Sequence, residues 1–415
     1  MRITPAQFEG LDKYKYSSVD KSILSRRVLT PWWNWLITLF PYTLGPNAIT
    51  FLGLCFVFGN VLTLAYFDIE YEGKDLPQWV YASWAFGLFA YQSMDAIDGK
   101  QARRLNMGSA LGEMFDHGCD AINTSLEVVL ACHALGLNRS WWTVASEVAS
   151  LLNFYASTWE EYHTGTLYLS AFSGPVEGIV MIIVIYIITA VHPLHQHFWQ
   201  QPLVPRLRST RRSTSPDKYS LASLPINVAF MIFGAFGTAG NMLNAYYNVI
   251  AARHRDKKPI VTPLLGLLPF GAHTLILCAW LHAERVDGVS IVHDARLLPF
   301  LGSHSSSSRM LPSRPSPYWN GMMVYSLASA IDANAQWLFG VEPLVQSSPT
   351  ASNVFIWMSF FVALFNYVRF AREIIWQICD YTGMACFTVR RRDKSGRWIE
   401  AAEMIHQIEE LRKTQ

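Results

Sequence analysis

Charge is scarce in this chain: Asp, Glu, Lys and Arg make up 15% of its 415 residues, against roughly 25% in an ordinary soluble domain. That deficit excludes a typical soluble enzyme and a disordered protein alike. Neither sign dominates, since the formal net charge is +2. A nucleic-acid partner, which needs a basic face or stripe, is not expected. Close-spaced thiols are missing too. Cys55, Cys119, Cys132, Cys278, Cys379 and Cys386 form no CxxC pair and no Cys/His cluster, and they read as reduced packing residues. Residues 1–29 are polar and charged and lack the apolar run of a signal peptide, so the first span is expected to act as its own insertion signal.

What abounds is apolar surface, at 51% of the chain. A bilayer span takes about 20 residues, so there is material for up to ten spans and little for a separate water-soluble domain. The expected fold class is an all-α polytopic membrane protein with about ten transmembrane helices. Candidate spans are 46–68, 79–98, 110–136, 140–160, 175–192, 221–250, 260–283, a weak one at 289–302, 318–337 and 352–380. Thr30-Pro31-Trp32-Trp33-Asn34-Trp35-Leu36 is too short to cross, and its tryptophans suit the headgroup layer. It predicts an N-terminal interfacial helix.

The expected organisation is a cytosolic N-terminus with that helix (1–45), a catalytic transmembrane core (46–192), a loop (193–220), C-terminal transmembrane helices (221–383) and a cytosolic tail (384–415). Lys100/Arg103/Arg104, Arg253/Arg255/Lys257/Lys258 and Arg390/Arg391/Arg392 fall on the cytosolic side, as the positive-inside rule requires. The loop disagrees, because Arg206, Arg208, Arg211, Arg212 and Lys218 fall on the far side. Either the span count shifts by one locally or the loop is re-entrant. The Ser/Pro/Arg-rich stretch 303–317 reads as a linker.

Acids inside a membrane are costly and mark function by default. Four aspartates, Asp95, Asp98, Asp116 and Asp120, crowd the end of one predicted span and the start of the next. At about 100° per residue, each pair lies one turn apart on one helix face. If the helices form a hairpin, four carboxylates converge, and they must be protonated, paired or metal-bound. Hard oxygen ligands of this kind suit Mg²⁺ or Mn²⁺, and two such ions could bridge a diphosphate. Gly99 and Ala102 leave room for a ligand, Arg103 supplies a planar fork for phosphate oxygens, and Gly112 thins the facing helix. Together these describe a site for a phosphate-ester leaving group.

The string Asp95-x2-Asp98-Gly99-x2-Ala102-Arg103-x8-Gly112-x3-Asp116-x3-Asp120 resembles the signature of the CDP-alcohol phosphotransferases. Over about 30–400 the chain is similar to the choline/ethanolamine phosphotransferases of eukaryotes. Gly45-Pro46-Asn47-Ala48-Ile49-Thr50, Tyr91-Gln92-Ser93, Trp159-Glu160-Glu161-Tyr162-His163-Thr164-Gly165 and Pro317-Tyr318-Trp319-Asn320-Gly321-Met322 add to the likeness. It departs at 301–316, where the serine run replaces a more apolar stretch.

The resemblance implies that Asp95, Asp98, Asp116 and Asp120 hold two divalent cations, Mg²⁺ or Mn²⁺. It places CDP against Asn47, Gly99, Ala102, Arg103 and Gly112. The implied reaction transfers phosphocholine or phosphoethanolamine from CDP-choline or CDP-ethanolamine to diacylglycerol and releases CMP. The family pattern assigns the hydroxyl proton to Asp120. His117 and Glu113 compete for that role, because Glu113, Asp116, His117 and Asp120 follow i, i+3, i+4, i+7 on one face. The likeness further implies a homodimer among membrane lipids of the endoplasmic reticulum or Golgi, its site facing the cytosol. Another acceptor (ceramide, inositol or glycerol phosphate) is an alternative, as is an ion-coupled transporter, although no related halves are visible. Glu177 reads equally as a cavity residue or an interfacial cap. Glu160, Glu161 and His163 read as solvated boundary residues, and Asp332 and Asn334 as interhelical hydrogen-bonders.

Overall fold

Proline starts, serine caps and left-handed glycine ends set the helix boundaries. Helix α3 (Pro46–Asp68) begins on a proline, whose missing N–H costs nothing in a first turn. Ser109 caps α5 (Ala110–Ala134) by accepting from the N–H of Gly112, and Ser348 caps α14 (Pro349–Thr382) by accepting from Ala351. Helix α6 (Trp141–Thr164) ends on Gly165 and α14 on Gly383, both at positive φ. The computed structural model describes residues 3–12, 17–20, 22–169, 175–204, 223–283, 290–309, 321–393 and 395–413.

Short helices α1 (Pro5–Asp12) and α2 (Thr30–Leu36) precede α3. Next come α4 (Gln78–Arg104), the capped α5 and α6, then α7 (Pro175–Val191) and α8 (Ile226–Arg255). Helices α9 (Val261–Leu265), α10 (Leu268–His282), α11 (Leu297–Arg309), α12 (Gly321–Ala333) and α13 (Ala335–Phe339) lead to α14, and α15 (Ala401–Lys413) closes the chain. Strands are minor: β1 (Ser18–Asp20) pairs in parallel with β2 (Leu167–Leu169), and β3 (Arg391–Arg392) pairs antiparallel with β4 (Trp398–Ile399).

The first part of the bundle forms where α3 packs on α4 and α5, α4 on α7, and α6 on α8. Its core is Leu54, Val57, Trp84, Leu88, Tyr91, Leu130 and Tyr186, all nearly or fully buried. Gly53 permits the close α3–α4 approach, since a Cβ there would stand 2.9 Å from the Cβ of Met94. A second core, with Leu277, Trp280, Phe300 and Ile356, joins α10, α11 and α14. Beyond α3 the chain turns on Asp68, fully buried, which accepts from the N–H groups of Glu72, Gly73 and Lys74 and lies 3.3 Å from His133 Nε2.

This is an all-α membrane protein, and helical segments occupy the neighbourhood of every expected span. Individual helices differ in whether they could cross unaided. Four stretches among the described residues are long and apolar enough to cross alone: Pro46–Asp68, Ile226–Arg255, Val261–His282 and Pro349–Thr382. Helices α4, α5 and α6 are 27, 25 and 24 residues long but carry the site's polar side chains. Among the described residues α7 spans 17, the lower limit of a crossing, and α11 and α12 span 13 each.

A correction concerns the serine run. Ser303–Arg309 continues α11 instead of forming a linker, and Ser303, His304, Ser305 and Ser306 are buried. The hydroxyls of Ser303, Ser305 and Ser306 donate to the carbonyls of Phe300, Leu301 and Gly302, so each is satisfied within its own helix. Residues 310–317, and the arginines at 206, 208, 211 and 212 with Lys218, lie outside the described residues. Asn334, the N-cap of α13, donates to the Ala279 carbonyl of α10. Asp332 instead receives the N–H groups of Leu344, Val345 and Gln346 and anchors the following loop.

Candidate active site

The acids gather where α4 ends and α5 begins. Ligand oxygens of Asp95, Asp116 and Asp120 all lie within 4.8 Å of one another. One oxygen of Asp95 and one of Asp116 are buried without a hydrogen-bond partner among the described residues. Buried carboxylates in such proximity are protonated, paired or bound to cations, and the all-oxygen donor set fits a hard divalent ion. Asp98 stands outside that group of three. Its Oδ2 accepts from Thr50 Oγ1 on α3, and Asp120 Oδ1 accepts from Tyr91 at 2.7 Å. These hydroxyls orient the carboxylates from behind, as outer-shell donors do in metal sites.

The basic residues beside the acids part ways. Lys100 donates to Asn34, and Arg104 donates to the carbonyls of Ile37 and Phe40 and lies over the Tyr42 ring. Arg103 stays exposed at the end of α4, near Gly99. Facing it, Gly112 leaves its space beside Asn47: a Cβ there would lie 3.8 Å from Asn47 Oδ1. Asn47, Gly99, Ala102, Arg103 and Gly112 therefore share one cavity of about 1680 Å³ with all four aspartates.

Next to the aspartates lies a second group. Ligand atoms of Glu113, His117 and Glu161 are mutually within 4.8 Å. The reading of Glu160 and Glu161 as solvated boundary residues is therefore corrected. Both line the cavity, and Glu160 is buried and accepts from Asn248 at 2.6 Å. Helix α6 folds against α5 and α8, so its polar end points inward. His163 lies 3.4 Å from Arg253. Glu177 accepts from Ser22 and keeps its other oxygen buried.

Sequence reasoning missed Thr50, Tyr91 and Glu161. For Thr50 a signal existed: it follows Asn47 by three residues, hence on the same helix face. It also missed the returning tail. Cys386 accepts a weak contact from Asn47 at 3.6 Å, and Arg391 lines the cavity. All six cysteines are free thiols.

The family model described as CDP-alcohol phosphatidyltransferase matches residues 43–207. An uncharacterized CDP-alcohol phosphatidyltransferase class-I family protein of Schizosaccharomyces pombe is 38% identical over 95% of this chain and 99% of its own. Choline/ethanolaminephosphotransferase 1 of Saccharomyces cerevisiae is 32% identical over 94% of this chain and 98% of its own. Cholinephosphotransferase 1 of the same yeast is 45% identical over 65% and 69%.

Proposed function

The chain belongs to the CDP-alcohol phosphatidyltransferase family, and on that premise we propose that it transfers phosphocholine, phosphoethanolamine or both from the CDP-alcohol to diacylglycerol, releasing CMP. The observation that carries this reading is the convergence of Asp95, Asp116 and Asp120 in a cavity shared with Asn47, Arg103 and Gly112. The names of the yeast relatives support the choice of donor and acceptor.

Asp95, Asp98, Asp116 and Asp120 would hold two divalent cations, Mg²⁺ or Mn²⁺. When bound, the ions neutralise the diphosphate and stabilise the leaving group. Gly99, Ala102 and Gly112 give the nucleotide close access to backbone, Asn47 meets it from α3, and Arg103 adds fixed positive charge at the phosphates. The diacylglycerol hydroxyl attacks the phosphorus that bears the head group. The new O–P bond forms as the P–O bond to CMP breaks, and the hydroxyl proton passes to a base.

His117 is that base. Asp120 is engaged by Tyr91 and by its neighbouring aspartates, whereas His117 has Glu113 and Glu161 beside it. An imidazole set between carboxylates is held by them in one orientation. Glu113 serves as its partner.

The fuller architecture goes with this function. About ten membrane-embedded segments follow the interfacial helix over 30–36. Residues 46–192 form the catalytic core, 221–383 the remaining helices, 193–220 a loop and 384–415 a cytosolic tail. The site opens to the cytosol on an endoplasmic reticulum or Golgi membrane, and the protein is a homodimer.

The test is CMP release by purified protein with diacylglycerol and either CDP-choline or CDP-ethanolamine, with Mg²⁺ or Mn²⁺ and with chelator. Metal-dependent CMP from either donor supports the reading. CMP appearing only with ceramide or inositol moves the acceptor, and no CMP with any acceptor overturns the reading.

A further inference from the structure

The polar face of α5 does not stop at the aspartates. It continues through Asn123 and Thr124 to Glu127, seven residues or about 10 Å of helix rise beyond Asp120. All three line the same cavity. Glu127 is 4% exposed. Its Oε2 accepts from Tyr186 of α7 at 2.7 Å, and its Oε1 is buried with no hydrogen-bond partner among the described residues. Asn123, one turn nearer the aspartates, likewise keeps a buried Oδ1 without a partner. A carboxyl group held in the interior by one phenol is either protonated or compensated by a cation that comes to it. The proposed metal ions are placed at the aspartates, and neither Lys100 nor Arg104, engaged elsewhere, supplies the missing charge.

We infer that Glu127, oriented by Tyr186 and assisted by Asn123, forms an anionic subsite for the alkylammonium group of the CDP-alcohol donor. This rests on the donor class proposed above and deepens it. With the phosphate bearing the head group held at the aspartates, the two-carbon arm runs along the α5 wall and brings the positive nitrogen toward Glu127. Glu113 and Glu161 are a less suitable pair for this purpose. They stand against His117, near the turn where Arg103 and Gly112 admit the nucleotide, and they serve the base.

The experiment compares CDP-choline with CDP-3,3-dimethylbutanol, its uncharged carbon isostere, and uses CMP as an inhibitor that carries no head group. In the wild type the isostere should bind about tenfold or more weaker than CDP-choline, the usual effect of removing one member of a buried charge pair. In Glu127→Gln the KM for CDP-choline should rise by a similar factor, the difference between the two donors should vanish, and CMP inhibition should stay within about twofold. An isostere that binds the wild type as well as CDP-choline overturns the subsite without recourse to any variant. Charge discrimination that survives Glu127→Gln and disappears in Glu161→Gln also overturns it and moves the cation to Glu161. Wild-type protein that releases CMP from neither CDP-choline nor CDP-ethanolamine instead overturns the donor assignment, and the subsite with it.

Discussion

Asp116 and Asp120 share a helix face because they are four residues apart, but what makes them a site is Asp95 arriving from another helix. Asp116→Asn keeps the shape and removes a carboxylate from the proposed cation site. CMP release should fall to background without loss of thermal stability, measured by unfolding of the detergent-solubilised protein. His117→Ala should lower kcat by about 10²–10⁴-fold, the usual worth of a general base, with donor KM little changed. A variant that keeps its kcat would return the proton to Asp120. Tyr91→Phe removes only the hydroxyl that holds Asp120. A loss of about 10–100-fold in activity or metal affinity, the range for outer-shell partners, should be partly recovered at higher Mn²⁺ in a metal titration.

At the scale of elements, α11 tests how a serine run can be helical. Its hydroxyls return to carbonyls one turn earlier, and Gly302 lets the Phe360 ring of α14 approach to 2.5 Å from where a Cβ would stand. Gly302→Val should therefore force α11 and α14 apart and lower the unfolding temperature, as overpacked cores do by about 1–3 kcal/mol. Ser305→Pro breaks the helix interior at a cost of about 3 kcal/mol or more. The same substitution in a true linker would be silent, so the thermal melt of Ser305→Pro separates the two readings. The run misled the sequence reading because low-complexity serine counts as polar punctuation unless a packed neighbour is known. The helix-forming partner, α14, lies about fifty residues away.

Across the whole molecule, many of the polar residues that make α4, α5 and α6 poor crossing helices in isolation, among them the four aspartates, Glu160 and Glu161, line the shared cavity. Their cost is met by facing one another instead of lipid. The proposed ten membrane-embedded segments would place residues before 46 and after 383 on one side. Tags at either end should be cleaved by protease added to sealed microsomes, without detergent, and a tag protected at one end only would change the count by one.

By itself the sequence determined the membrane class, through sparse charge and long apolar stretches, and the family, through eight residues at fixed spacing. Helical periodicity is local, so it could place Asp95 with Asp98 and Asp116 with Asp120. Only the tertiary structure decided that Asp98 pairs with Thr50 while Asp95 joins Asp116 and Asp120, that Glu161 turns inward to His117, and that Arg391 returns to the cavity. Those contacts join positions far apart in the chain, and their geometry comes from how the helices pack, which no local spacing encodes.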